Sequence, residues 1–232
     1  MNFILLGNKI KKINVFRFFF LSSLILVFTV LTNINIVRAM DFSKGAVMLP
    51  DPAESFYYKG ISEFNIHHYQ EAINHYNKAI EYNPFYADAY SSRADTYRWL
   101  QNNDQAILDY IRVLELRPDD FNAYYNMAIS KSELRDYRGA VEDLTKAAQL
   151  NSNDANVFYQ RGLAYFQNED YNLAIDDFSK AIELRPEYAW AYYKRGSARL
   201  NQGFLDGAHS DLSKAEKLGC YAAADLIKSL TK

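Results

Sequence analysis

Residues 156–186 read NVFYQRGLAYFQNEDYNLAIDDFSKAIELRP, and this stretch decides the fold. Its apolar residues recur at intervals of three and four, the spacing that keeps side chains on one face of a helix. The polar run QNEDYN (167–172) interrupts the pattern and reads as a short turn, so the stretch is a pair of helices. Gly162 in the first helix and Ala174 in the second are small enough for the two backbones to approach closely. Phe178, four residues after Ala174, fills the space beside that contact. Pro186 then ends the unit, because proline lacks an N–H and blocks continuation of a helix.

The same pattern recurs along the chain. Gly60, Ala94, Ala128, Gly162 and Gly196 lie 34 residues apart, as do Ala72, Ala106, Ala140, Ala174 and Ala208. Ala79, Val113, Ala147, Ala181 and Ala215 keep the same period, and so do Tyr76, Tyr110, Leu144, Phe178 and Leu212. Pro84, Pro118 and Pro186 close three copies, with Ser152 and Cys220 at the equivalent places in the other two. A helix pair this short cannot bury its apolar face alone, so successive pairs must stack.

This pattern resembles the tetratricopeptide repeat (TPR) family, whose unit is a helix pair of the same length. In the fourth copy the family's large, small, aromatic, Ala, aromatic, Ala, Pro signature reads Phe158, Gly162, Tyr165, Ala174, Phe178, Ala181 and Pro186. The sequence departs from it where Glu63, Lys131 and Arg199 replace the first-helix aromatic, departures expected to weaken single contacts. The resemblance implies an all-α fold, a right-handed α-solenoid of five helix pairs plus a C-terminal capping helix. The expected boundaries are 53–86, 87–120, 121–154, 155–188 and 189–220 for the copies and 221–232 for the cap. Asp51 followed by Pro52 suits an N-cap and first helical position, so the first helix is expected to begin there.

Ahead of the array, residues 1–17 carry four positive charges, and Phe18–Leu31 is an uncharged run of 14. That length suits a signal-peptide core and falls short of the ~20 residues of a membrane span. Val37-Arg38-Ala39 places small residues where a signal peptidase reads. Residues 1–39 are therefore expected to be a signal peptide cut after Ala39, with residues 40–52 as a tether and an extracytoplasmic, periplasmic or secreted, body. The alternative is an uncleaved anchor, since residues 18–37 form a run of 20. A start at Met40 is disfavoured.

All 28 acidic residues follow position 40, whereas five of the 26 basic residues precede it, which leaves the body with 21 basic against 28 acidic groups. An acidic body without a basic cluster is a poor partner for nucleic acid. Cys220 is the single cysteine, so no internal disulfide can form. The histidines His67, His68, His75 and His209 lack HExxH spacing, and no Gly-rich phosphate loop or G-x-S-x-G is present. Asp119-Asp120 and Asp176-Asp177 read as solvated surface acids. No enzyme activity, metal or cofactor is expected.

In the TPR family the first helices line a concave groove that takes peptide segments. Carried over, the resemblance places Glu54, Asp88, Asn122, Asn156 and Trp190 there, with Tyr57, Ser91, Tyr125, Tyr159 and Tyr193, and Tyr58, Ser92, Asn126, Gln160 and Lys194. The groove candidates are Tyr57, Tyr125, Asn126, Asn156, Tyr159, Gln160, Tyr193 and Lys194. The tyrosine ladder has two readings, packing between neighbouring copies or contact with a ligand. Glu54, Asp88, Asp95 and Glu133 against Arg98 and Lys194 would repel a free carboxylate, which disfavours a chaperone-tail adaptor. The expected activity is non-catalytic binding of a protein or peptide partner in the groove. The alternative is a structural or assembly subunit of a membrane or envelope complex that uses its convex face and ends.

Overall fold

A computed structural model of the chain describes residues 51–230. The expected signal or anchor segment, its cut after Ala39 and most of the tether lie outside these residues. The described residues form eleven helices and no strand: α1 (Pro52–Asn65), α2 (Tyr69–Tyr82), α3 (Ala87–Trp99), α4 (Asn103–Leu116), α5 (Phe121–Glu133), α6 (Tyr137–Leu150), α7 (Ala155–Gln167), α8 (Tyr171–Leu184), α9 (Ala189–Asn201), α10 (Leu205–Lys217) and α11 (Tyr221–Leu230). None of these helices is long and apolar enough to cross a membrane.

The first ten helices pack most closely as consecutive pairs, α1 with α2 through α9 with α10, and each pair packs on the next. The turn inside each pair contains one residue in the left-handed region: His67, Gln101, Arg135 and Glu169 at φ 58–64°, and Gly203 at 78°. These five positions are also 34 apart, so one backbone turn is reused in every pair. Between pairs, Asn83, Arg117, Asn151 and Arg185 take an extended φ near −138° and stop the second helix. Asp51 accepts from the Ala53 N–H at 3.0 Å with Pro52 at the start of α1, and Asp120, Asp136 and Asp154 cap α5, α6 and α7 in the same manner. Asp120 is thus a capping group, not the free surface acid expected from its sequence.

The core runs along the axis of the array. Ala72, Ala106, Ala140, Ala174 and Ala208 are fully buried, as are the large residues Tyr110, Leu144, Phe178 and Leu212 four positions later. The close approach expected at Gly162 is present: a Cβ there would lie 2.8 Å from Phe178 Cε1. Full burial of a side chain the size of Phe178 contributes about 2–3 kcal/mol. At the far end α11 covers Leu212 and Ala215, with Leu226 and Ile227 packed against the buried Cys220.

A second row of contacts is electrostatic, and the sequence reading missed it. Asp177 is 6% exposed and forms a two-pronged ion pair with Arg161, at 2.7 Å for both bonds. The expectation that Asp176-Asp177 is solvated therefore fails for Asp177, since the carboxylate faces the first helix of its own pair. Arg93 with Asp109 and Arg195 with Asp211 repeat the arrangement at 2.6–2.8 Å. In each case the remaining guanidinium nitrogen reaches the preceding pair, at Asn77 (2.5 Å), Thr145 (3.2 Å) and Ser179 (2.9 Å). Each arginine thereby ties its own two helices to the pair before it.

Met127 holds the arginine position in the third pair, and the buried Asp143 is met by Lys131 at 2.7 Å instead. Arg199, at the equivalent place in the fifth pair, also binds Asp211 at 2.7 Å. Lys131 and Arg199, read as departures that weaken contacts, instead add ion pairs to buried carboxylates. Glu63 pairs with His68 Nδ1 at 3.0 Å near the turn.

Candidate functional site

The curvature of the array identifies its inner face. Successive first helices, α1, α3, α5, α7 and α9, reach one another along the array, and successive second helices do not approach to the same extent. Neighbours in a row are closest on the inside of a bend, so the first helices form the concave side.

The tyrosine ladder is half-buried in the seams of this face. The Tyr57 ring lies 5.0 Å from Tyr86, and Tyr159 lies 4.8 Å from Tyr188 and 5.8 Å from Phe178. Tyr86 and Tyr188 stand just before the next first helix, so these contacts join neighbouring pairs. Tyr125 stacks on Phe121 at 6.1 Å and packs against the core around Leu144. Tyr193 meets Trp190 edge-on at 5.8 Å. Burial raises the pKa of the Tyr159 hydroxyl well beyond its ordinary value, with Tyr188 and Cys220 adding to the shift. Burial also raises Tyr125, opposed by a hydrogen bond with Gln160. Tyr86 is pushed up to about 12, mainly by burial.

The amide candidates also bridge neighbours. Asn126 Nδ2 donates to Asp95 Oδ1 at 3.2 Å. Asn156 Oδ1 accepts from Arg185 Nη1 and from the Tyr188 hydroxyl, both at 3.2 Å. Lys194 holds its ammonium 5.8 Å from the Phe166 ring and 5.5 Å from Tyr193. All eight candidates lie on first helices, and Asn126, Asn156 and Lys194 already reach groups of the neighbouring pair or of the segment leading into it.

A groove of about 1060 Å³ lies elsewhere on that face, toward the C-terminal ends of α1, α3 and α5. Its lining comes from Ile61, Phe64 and Asn65 of α1, Asp95, Arg98 and Trp99 of α3, Asn103 of α4, and Glu133 with Leu134 at the end of α5. None of the eight candidates lines it. The signal was present in the sequence: Asn65, Trp99 and Glu133 are 34 apart, as are Phe64 and Arg98, and Ile61 and Asp95. Ser92, Asp95, Arg98 and Glu133, which the resemblance placed in the groove, do line it, whereas Trp99, Asn103 and the apolar Ile61, Phe64 and Leu134 were not foreseen.

Within the groove, Asp95 accepts from the Tyr110 hydroxyl at 2.5 Å and lies 3.9 Å from Arg98. Burial raises the Asp95 pKa, against the lowering effects of Tyr110 and Arg98. Trp99 is 67% exposed and stacks on Tyr69 at 6.5 Å. Among the described residues no three His, Cys, Asp or Glu side chains cluster in a way that could hold a metal ion.

A family model for the TPR repeat matches residues 68–101, 94–131, 133–169 and 162–203, together more than half of the chain. The chain belongs to the tetratricopeptide repeat family. Among solved structures this TPR array is similar to the MamA protein, with a TM-score of 0.71 and 22% identity over 73% of this chain and 93% of that one. It is also similar to MamA of Desulfovibrio magneticus RS-1, with a TM-score of 0.70 and 21% identity over 72% of this chain and 95% of that one. YrrB, described as a TPR protein with an unusual peptide-binding site, gives a TM-score of 0.68 and 20% identity over 83% of this chain and 97% of its own. At these identities the likeness concerns the fold. An uncharacterised protein of Methanocaldococcus jannaschii is 44% identical over 48 residues, 21% of this chain. The chain spans about half the length, 56%, of that curated relative.

Proposed function

We propose that this TPR protein is a non-catalytic scaffold that holds a segment of a partner protein in its concave groove. The observation that carries this reading is the groove itself, a concavity lined mainly by three first helices and including the exposed Trp99. Large exposed aromatics in concave sites supply contact area at low entropic cost, and tryptophan is enriched among residues that dominate interface energies. The peptide-binding site described for the similarly folded YrrB supports the same reading. The protein acts outside the cytoplasm, released by cleavage after Ala39 or held by residues 18–37 as an anchor. Sequencing the N-terminus of the protein recovered from its native cell distinguishes the two.

A second reading has its own observation. On α4, Leu108 is 59% and Ile111 43% exposed, one turn apart on a second helix, which fits assembly through the convex face. Affinity capture of partners with two variants separates the readings. Trp99→Ala with Leu134→Ala should lose the bound partner, and Leu108→Ser with Ile111→Ser should retain it. The reverse result would establish the convex face as the working surface.

A further inference from the structure

We propose that the groove recognises a lysine or arginine side chain beside an apolar residue in an extended protein segment, through Asn103 Oδ1, the Glu133 carboxylate and the face of Trp99. This inference rests on the groove reading above and names the chemistry of its occupant.

The decisive residue is Asn103. It is 7% exposed, lines the groove, and donates through Nδ2 to Glu133 Oε2 at 2.7 Å. That bond fixes the amide orientation, because the flipped amide would set Oδ1 against a carboxylate. Oδ1 is left buried with no partner among the described residues. A buried acceptor without a donor is unfavourable, so the site is complementary to a group that brings N–H bonds to it. The neighbouring Glu133 carboxylate makes a cationic donor the better match.

The other lining groups agree. Asp95 is engaged by Tyr110, Asn126 and Arg98, which leaves Glu133 as the groove's unbalanced charge. The exposed Trp99 ring can take the aliphatic stem of a basic side chain on its face and attract its charge. Ile61, Phe64 and Leu134 then provide the apolar wall for an adjacent side chain. An acidic segment or a free C-terminal carboxylate would face Glu133 and is excluded by repulsion.

Selection of a random peptide library on the full-length chain tests this. Peptides with Lys or Arg next to an apolar residue should be enriched about fivefold or more over the input, the effect of roughly one favourable charge contact. Glu133→Gln keeps an acceptor for Asn103 at an exposed position, so its melting temperature should match the wild type while the basic enrichment is lost and the apolar preference remains. Enrichment of acidic peptides, or undiminished basic enrichment in Glu133→Gln, would overturn this inference and leave the groove reading standing. Selection of peptides whose binding survives Trp99→Ala, or no selection at all, would remove both.

Discussion

Arg161 and Asp177 stand sixteen residues apart and meet through two bonds of 2.7 Å, while the third guanidinium nitrogen reaches Thr145 in the preceding helix pair at 3.2 Å. The arginine therefore joins three helices, α6, α7 and α8, through one planar group. Removing one member of such a buried pair leaves the other charged and desolvated, and the loss is greater than the net worth of the pair. Asp177→Ala should lower the stability of the array by about 3 kcal/mol. Arg161→Met combined with Asp177→Leu should restore at least half of that loss. Urea titrations of Asp177→Ala, of Arg161→Met and Asp177→Leu singly and of their double variant measure both, and additive losses in the Met/Leu cycle would refute the coupling.

The third helix pair carries a natural rearrangement of the same contact. Met127 occupies the arginine position, Ile111 the polar position that precedes it, and Lys131 meets Asp143 from one turn further along α5. Lys131→Met should strand the buried Asp143 carboxylate and cost about 2–3 kcal/mol. Adding Met127→Arg to that variant should recover part of the stability, because the introduced guanidinium would stand in the register of Arg93, Arg161 and Arg195. Recovery should be incomplete, since Ile111 gives that guanidinium no acceptor. Thermal melts of the two variants decide it, and failure of any recovery would show that register alone does not place the pair.

The small contact inside each helix pair makes a third prediction. A Cβ at position 162 would stand 2.8 Å from Phe178 Cε1 and 3.3 Å from Asp177 Cβ. Phe178 is fully buried, so it has little room to yield. Gly162→Leu should destabilise the array by about 3 kcal/mol, and Gly162→Ala by about 1 kcal/mol. The smaller figure reflects Ala94 and Ala128, which show that the equivalent site accepts one methyl beside Tyr110 and Leu144. An unchanged melting temperature for Gly162→Leu would contradict the packing described.

These examples show which parts of the molecule its sequence disclosed. Gly162, Ala174 and Phe178 were legible because size and spacing alone dictate a close helix contact. Asp177 was not, because a charged residue reads as surface until the partner sixteen positions earlier is known to face it. Lys131 and Arg199 broke an aromatic row, and their compensating bonds to Asp143 and Asp211 exist only once α5 packs on α6 and α9 on α10. The tyrosine ladder had two readings in the sequence; in the structure Tyr57 and Tyr159 touch Tyr86 and Tyr188 across the seams. Asp95, Arg98 and Glu133 were legible as groove charges, but the concavity they line with Trp99 depends on how far apart the ends of three helices lie, which is a property of stacking and not of any one repeat.

Asp95 links that groove to acidity. Burial raises its pKa above the ordinary 3.8, outweighing the hydrogen bond from Tyr110 and the charge of Arg98. The folded carboxyl thus holds its proton more tightly than the unfolded one. Its contribution to stability is fully present below the unfolded value and is lost as pH rises through the folded value. Asp95→Asn keeps an acceptor for Tyr110 and removes the titration. The stability of the wild type relative to Asp95→Asn should therefore fall as pH rises above 3.8, and level off once the folded carboxyl has ionised. Denaturant titrations from acid to neutral pH measure the difference directly. A relative stability that rose with pH would mean that Tyr110 and Arg98 outweigh burial, and Asp95 would then act as a stabilising anion in the groove.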